Sequence, residues 1–132
     1  MYLLDTNICI YAMKNTYPLL TNKLFMVPPS EVFVSSITLG ELEYGCEKSK
    51  WGQRSRDVMR MFLATYTILP FDENDAALWG SLRAHLASQG SPIGPYEIQL
   101  AAHSISKGLI MVTHNTREFE RVPGIMLEDW VI

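Results

Sequence analysis

Cysteine is scarce in this chain: two in 132 residues, Cys9 and Cys46, both inside stretches that read as helix. Two thiols so placed define no disulfide framework, which suits a reducing compartment. Histidine is equally sparse, and His85, His103 and His114 do not fall at a metal-ligand spacing with either cysteine. No apolar run reaches membrane-spanning length. The N-terminus lacks the basic and apolar regions of a secretion signal, so Met1–Leu4 is expected to be a strand and the protein cytoplasmic. Basic charge is also short, with 11 Lys and Arg against 14 Asp and Glu and a net charge of −3. That balance argues against a protein that coats nucleic acid. It leaves open an enzyme that acts on nucleic acid through a local cluster of acids. No repeat, low-complexity tract or linker divides residues 1–132, which are expected to form one domain.

Short apolar strands alternate with helices. Tyr2–Leu4 predicts a strand, followed by helices over roughly Ile8–Asn15 and Leu19–Met26, the second broken by Val27-Pro28-Pro29-Ser30. Glu31–Ile37 is rich in β-branched and aromatic residues and predicts a second strand. Ser36 or Thr38 is expected to cap the helix that continues through Glu47. A further helix is predicted over Gln53–Tyr66, with Val58, Met61, Phe62 and Ala64 as its buried stripe. Thr67–Phe71 predicts a short strand, and Asp72 the cap of a long helix ending near Gly90. After Ser91–Gly94, Pro95 suits the first turn of a helix that ends at Gly108. Leu109–Val112, the most apolar strand, is expected at the centre of the sheet. Ile125–Leu127 is expected at its edge. Strands separated by helices imply right-handed crossovers and a parallel sheet covered on both faces.

In such a sheet, ligands and catalysis gather outside the carboxyl ends of the strands. Asp5 ends the first strand. Glu41 follows the second, on a helix where it falls among Ile37, Tyr44 and Gly45. Glu97 stands in the first turn of the helix that begins at Pro95, and Thr113, Asn115 and Glu118 follow the most apolar strand. Each has an ordinary explanation, as a cap, a boundary residue or an anion at a helix N-terminus. Together they fall at one edge of the sheet. Carboxylates gathered in a crevice repel one another unless a cation joins them, and oxygen-only ligation points to Mg²⁺ or Mn²⁺. A hard divalent ion held by acids suits phosphodiester hydrolysis.

Four segments carry a family resemblance: Leu4-Asp5-Thr6-Asn7-Ile8-Cys9-Ile10-Tyr11; Ser35-Ser36-Ile37-Thr38 with Gly40-Glu41-Leu42; Gln89–Pro95; and Val112–Phe119 running on to Glu128-Asp129-Trp130. In these the chain resembles the PIN-domain ribonucleases and, among them, the VapC toxins of bacterial toxin–antitoxin pairs. The resemblance implies a three-layer α/β/α domain with a central parallel sheet of four to five strands. It also implies an endoribonuclease dependent on Mg²⁺ or Mn²⁺, acting on RNA such as a tRNA. The implied assembly is a homodimer bound by a VapB antitoxin whose C-terminal segment covers the active site, in a larger hetero-oligomer that reaches operator DNA through the antitoxin. By position, Asp5, Glu41 and Glu97 would bind the metal, with Glu118 as a fourth acid. Thr6, Thr113 and Asn115 would orient ligands, water or phosphate. The family usually has aspartate where this chain has Glu97. An extra methylene there either is compensated by the packing or weakens the site.

Arg117 and Arg121, beside the crevice, are the residues expected to touch RNA phosphates. Lys48, Lys50, Arg54, Arg56 and Arg60 read first as a solvated helical face and second as a track that steers phosphates. Glu43 and Glu47 read as a solvated pair, His103 as a packed or surface residue, and Tyr44 and Trp51 as core or dimer contacts in preference to base-stacking platforms. Two rival functions fit the same acidic crevice. One is a catalytically disabled PIN domain that only binds its antitoxin. The other is a receiver-like phospho-acceptor, which would want a lysine after a late strand where this chain has Thr113-His114-Asn115.

Overall fold

A computed structural model describes residues 1–90 and 93–132. The turn expected over Ser91–Gly94 therefore lies partly outside the described residues, at Ser91 and Pro92. Five strands are present: β1 (Tyr2–Leu4), β2 (Val32–Ser35), β3 (Thr67–Leu69), β4 (Ile110–Val112) and β5 (Leu127–Glu128). They form one parallel sheet in the order β3-β2-β1-β4-β5, with Leu3 opposite Phe33 on one side and Met111 on the other. The middle strand is thus β1, with β4 one place removed. Both read as apolar runs because both are covered on two faces, and only the crossover directions decide which is central.

Seven helices cover the sheet among the described residues. On one face lie α1 (Thr6–Lys14), α2 (Pro18–Met26), α3 (Ser36–Lys48) and α4 (Gly52–Ala64). Their core joins Leu4, Val34 and Val112 of the sheet to Ile8, Leu20, Leu42 and Met59. The other face carries α5 (Glu73–Ser88), α6 (Pro95–Ser106) and the short α7 (Thr116–Phe119), with Met111 packed among Leu82, Leu86, Ile98, Ala101 and Phe119. This is the three-layer arrangement expected.

Local chemistry moves several boundaries. A 3₁₀ turn at Pro29–Glu31 delays β2, and Ser35 ends it by accepting the N–H of Ile37 at 3.0 Å. Ser35 is therefore the cap of α3, in place of Ser36 or Thr38. The Ser36 hydroxyl instead accepts the N–H of Phe71 at 3.0 Å. Thr38 is buried beside Thr6. Pro70 closes β3 early, and Asp72 caps α5 in a reciprocal box with Asp75, as its position suggested. The buried side of α4 is Met59 with Phe62 and Leu63 packed beside it, while Val58 and Met61 are exposed. Glu43 and Glu47 are not a free solvated pair, because both grip Arg56. Tyr44 and Trp51 are exposed, so neither is a core residue of this chain.

Candidate active site

Asp5 occupies the N-cap position of α1, yet its side chain makes no capping bond. It turns instead toward β4, where Thr113 Oγ1 donates to Asp5 Oδ2 at 2.9 Å. The strand pairing enforces this meeting, since the Asp5 N–H also donates to the Val112 carbonyl at 2.9 Å. Thr113 is itself held, accepting the Asn115 N–H on the same hydroxyl at 3.0 Å. A capping role does not explain Asp5.

Thr6, one residue on, faces α3. Its hydroxyl donates to Glu41 Oε1 at 2.7 Å and lies 2.9 Å from Thr38 Oγ1. With the Thr6 proton committed to Glu41, Thr38 must donate to Thr6. Two adjacent residues thus reach opposite neighbours: Asp5 is clamped by β4, and Thr6 clamps Glu41. Thr38, which the sequence offered only as a helix cap and as part of a segment of the family resemblance, is a support of the site.

Glu97 enters from α6 and leans back over the start of its own helix. A Cβ built on Gly94 would lie 2.0 Å from Glu97 Oε2 and 2.8 Å from its Cδ. The Gly94 backbone, at φ −54° and ψ 147°, is open to any residue. Glycine is needed there for room. The extra methylene of Glu97 is taken up by folding the side chain across that space. Glu118 lies alongside, accepting from Asn115 Nδ2 at 2.5 Å and from the Gly94 N–H at 3.4 Å. The second bond ties α7 to the start of α6. Arg117 and Arg121 border an adjoining hollow of ≈ 410 Å³ with Asn115 and Glu118. Arg121 also donates from Nε to the Glu118 carbonyl at 3.2 Å.

The electrostatics follow from this gathering. Burial pushes the Asp5 carboxyl up from 3.8 to about 6; the Thr113 and Thr6 hydrogen bonds oppose the rise, and the nearby charges of Glu97 and Glu41 add to it. Glu41 is raised too, by burial and by Glu97. Among the described residues, however, no three His, Cys, Asp or Glu side chains already converge as a finished metal cage. The donors, carboxylate and hydroxyl oxygens, are the right kind for a hard divalent ion and fit it in chemistry. His114 is directed elsewhere, with Nδ1 2.9 Å from Asp129 Oδ2.

A parallel α/β/α domain with acids from β1, α3 and α6 at one sheet edge has the architecture of a PIN domain. The PIN domain family profile matches residues 2–125, and the chain belongs to that family. Within it the chain falls in the VapC branch. The tRNA(fMet)-specific endonuclease VapC of Shigella flexneri is 45% identical over 129 residues, covering 98% of this chain and 97% of that one. Ribonuclease VapC2 of Haemophilus influenzae is 45% identical over 130 residues, covering 98% of each chain. Among solved structures, the DNA-bound VapBC of Salmonella typhimurium superposes with a TM-score of 0.93 at 43% identity, over 98% of this chain and 97% of that one. The receiver-like alternative is set aside by these matches.

Proposed function

We propose that this chain is the toxin of a toxin–antitoxin pair, an endoribonuclease that cuts a tRNA with the help of Mg²⁺ or Mn²⁺. The observation that carries the metal requirement is the buried Asp5, its carboxyl raised first by burial and further by the charges of Glu97 and Glu41. Asp5, Glu41 and Glu97 would hold the ion, which when bound supplies an activated water and neutralises charge on the phosphate. The chain's own groups do the rest. Thr113 and Thr6 lock the Asp5 and Glu41 carboxylates, so little reorganisation remains at the moment of reaction. Asn115 and Glu118 order the segment after β4, and Arg117 and Arg121 at the adjoining hollow are placed to receive phosphates of the RNA. A tRNA loop, whose splayed backbone reaches a small crevice, is the substrate we favour.

The partner we propose is a VapB-type antitoxin. Beside Glu41 opens a groove of ≈ 580 Å³ lined by Ile10, Met13, Leu42, Val58 and Met59, with Lys14 and Arg54 also along it. It suits an amphipathic segment laid beside the acids.

The decisive experiment incubates antitoxin-free protein with a tRNA pool in Mg²⁺, Mn²⁺ or EDTA and maps the ends produced. Discrete cuts that need the metal are expected; cleavage that persists in EDTA would refute the proposal.

Two further results are expected at this site. Because Asp5 keeps its proton up to about pH 6, a metal ion must displace that proton. Apparent Mg²⁺ affinity should fall about tenfold per pH unit as pH drops below about 6 and stay level above it. Binding titrations at about pH 5 and about pH 7.5 check this, and equal affinities would remove Asp5 from the ligand set. Gly94→Ala should leave thermal stability within about 0.5 kcal/mol, because only the end of a flexible side chain has to give way. The displaced Glu97 carboxylate should weaken Mn²⁺ binding about tenfold, read by titration beside a melting curve.

A further inference from the structure

Behind the acids lies a second buried polar group that the reaction does not use. His103 on α6 and Asp75 on α5 are both fully buried. His103 Nδ1 is 2.8 Å from Ser35 Oγ, and His103 Nε2 faces Asp75 Oδ2 at 3.4 Å. Asp75 continues the chain, with Oδ1 3.3 Å from Lys107 Nζ, and Lys107 reaches Asp72 Oδ2 at 2.5 Å. Burial pulls His103 below its ordinary value, so the ring is neutral. A neutral ring has one N–H; the Asp75 carboxylate favours it on Nε2 by charge, since at 3.4 Å the two atoms make no hydrogen bond. Nδ1 then accepts the Ser35 hydroxyl, while Ser35 Oγ accepts the N–H of Ile37. The hydrogen bonds of this group thus run from His103 through Ser35 to the cap of α3, with Asp75 beside the ring as its counter-charge.

Filling a core this way is costly, since apolar side chains of similar volume are commonly as stable or better. What polar contacts add is fixed geometry. Ser35 starts α3, which carries Glu41 six residues later, and His103 stands six residues after Glu97 on α6. The imidazole is a strut between the two helices that present these acids. An apolar side chain would fill the volume and leave α6 free to turn slightly against α3, and about 1 Å of misplacement matters in such a site.

We infer that His103 is a positioning residue: bridging Ser35 and Asp75, it fixes the separation and rotation of the helices that carry Glu41 and Glu97. The inference rests on the proposed role of those two acids. Three variants separate its parts. Ser35→Ala removes the partner at Nδ1; His103→Gln keeps a polar atom near Nε2 alone; His103→Asn keeps one near Nδ1 alone. Mn²⁺ affinity of the full chain should fall about tenfold in Ser35→Ala and His103→Gln and less than about threefold in His103→Asn, with recovery in Ser35→Thr. Loss of stability alone would not produce that order, because both His103 variants disturb the same buried site.

Spin labels at the exposed Tyr44 on α3 and Tyr96 on α6 give a readout independent of metal. The interhelix distance should be narrow in the parent and broaden in Ser35→Ala. Unchanged distances and unchanged Mn²⁺ affinity in Ser35→Ala would overturn the inference. Broadened distances in a protein whose parent binds no Mn²⁺ would support the strut and refute the metal-site reading instead.

Discussion

Asp5→Asn is expected to lower RNA cleavage at least about 10³-fold while making the metal-free protein more stable. The two effects share one cause. The unfolded chain releases the Asp5 proton at 3.8 and the folded protein only at about 6, so the folded state holds more protons in that interval. Stability therefore falls as pH rises from 3.8 to about 6, and the whole penalty remains above. At about 1.4 kcal/mol per tenfold change, the cost approaches 3 kcal/mol. Asparagine stays neutral at every pH, and its carbonyl oxygen can still accept the Thr113 hydroxyl. The variant should melt about 5–10 °C above the parent near pH 7.5 and show almost no advantage near pH 4. Saturating Mg²⁺ should restore the parent and leave the variant unmoved. A variant that melts lower at neutral pH, or still cuts RNA, would contradict the assignment of Asp5. Stability is sacrificed at the site that works, a common trade in enzymes.

Asp75→Ala should be the most damaging single change away from the acidic edge, at about 3–5 kcal/mol. It removes the carboxylate that faces His103 Nε2, takes from Lys107 one of its two acidic partners, and removes half of the box that starts α5, where Asp75 Oδ2 accepts the Asp72 N–H at 2.8 Å. Asp72, which is exposed, should tolerate alanine far better. Urea unfolding of the two variants beside the parent tests the contrast. A loss below about 1 kcal/mol in Asp75→Ala would mean that the buried carboxylate contributes little.

The positions of the strands and of Asp5, Glu41 and Glu97 along the edge were legible because they depend on local rules: apolar runs, helix-start residues, and parallel strands ending on one side. What the sequence hid depends on partners far along the chain. Ser35, Ser36 and Thr38 look interchangeable as caps. Only the fold sends them to Ile37 and His103, to Phe71, and to Thr6. The periodicity of α4 named Val58 and Met61 as buried, but in the folded chain both are exposed, and Val58 borders the open groove beside Glu41. Nothing near His103 in sequence announces Asp75, because the two sit on different helices. Glu97 looked too long for its place until Gly94 proved to lack the atom that would block it.

The middle place of β1 has a bearing on how the protein is made. Asp5 follows β1, yet the residue that clamps it, Thr113 just past β4, lies more than a hundred residues further along the chain. Until that stretch has left the ribosome, the sheet lacks one side and the acids have no common edge. The edge that gathers the acids is thus completed by a long-range pairing, and it cannot exist until β1 and β4 have met.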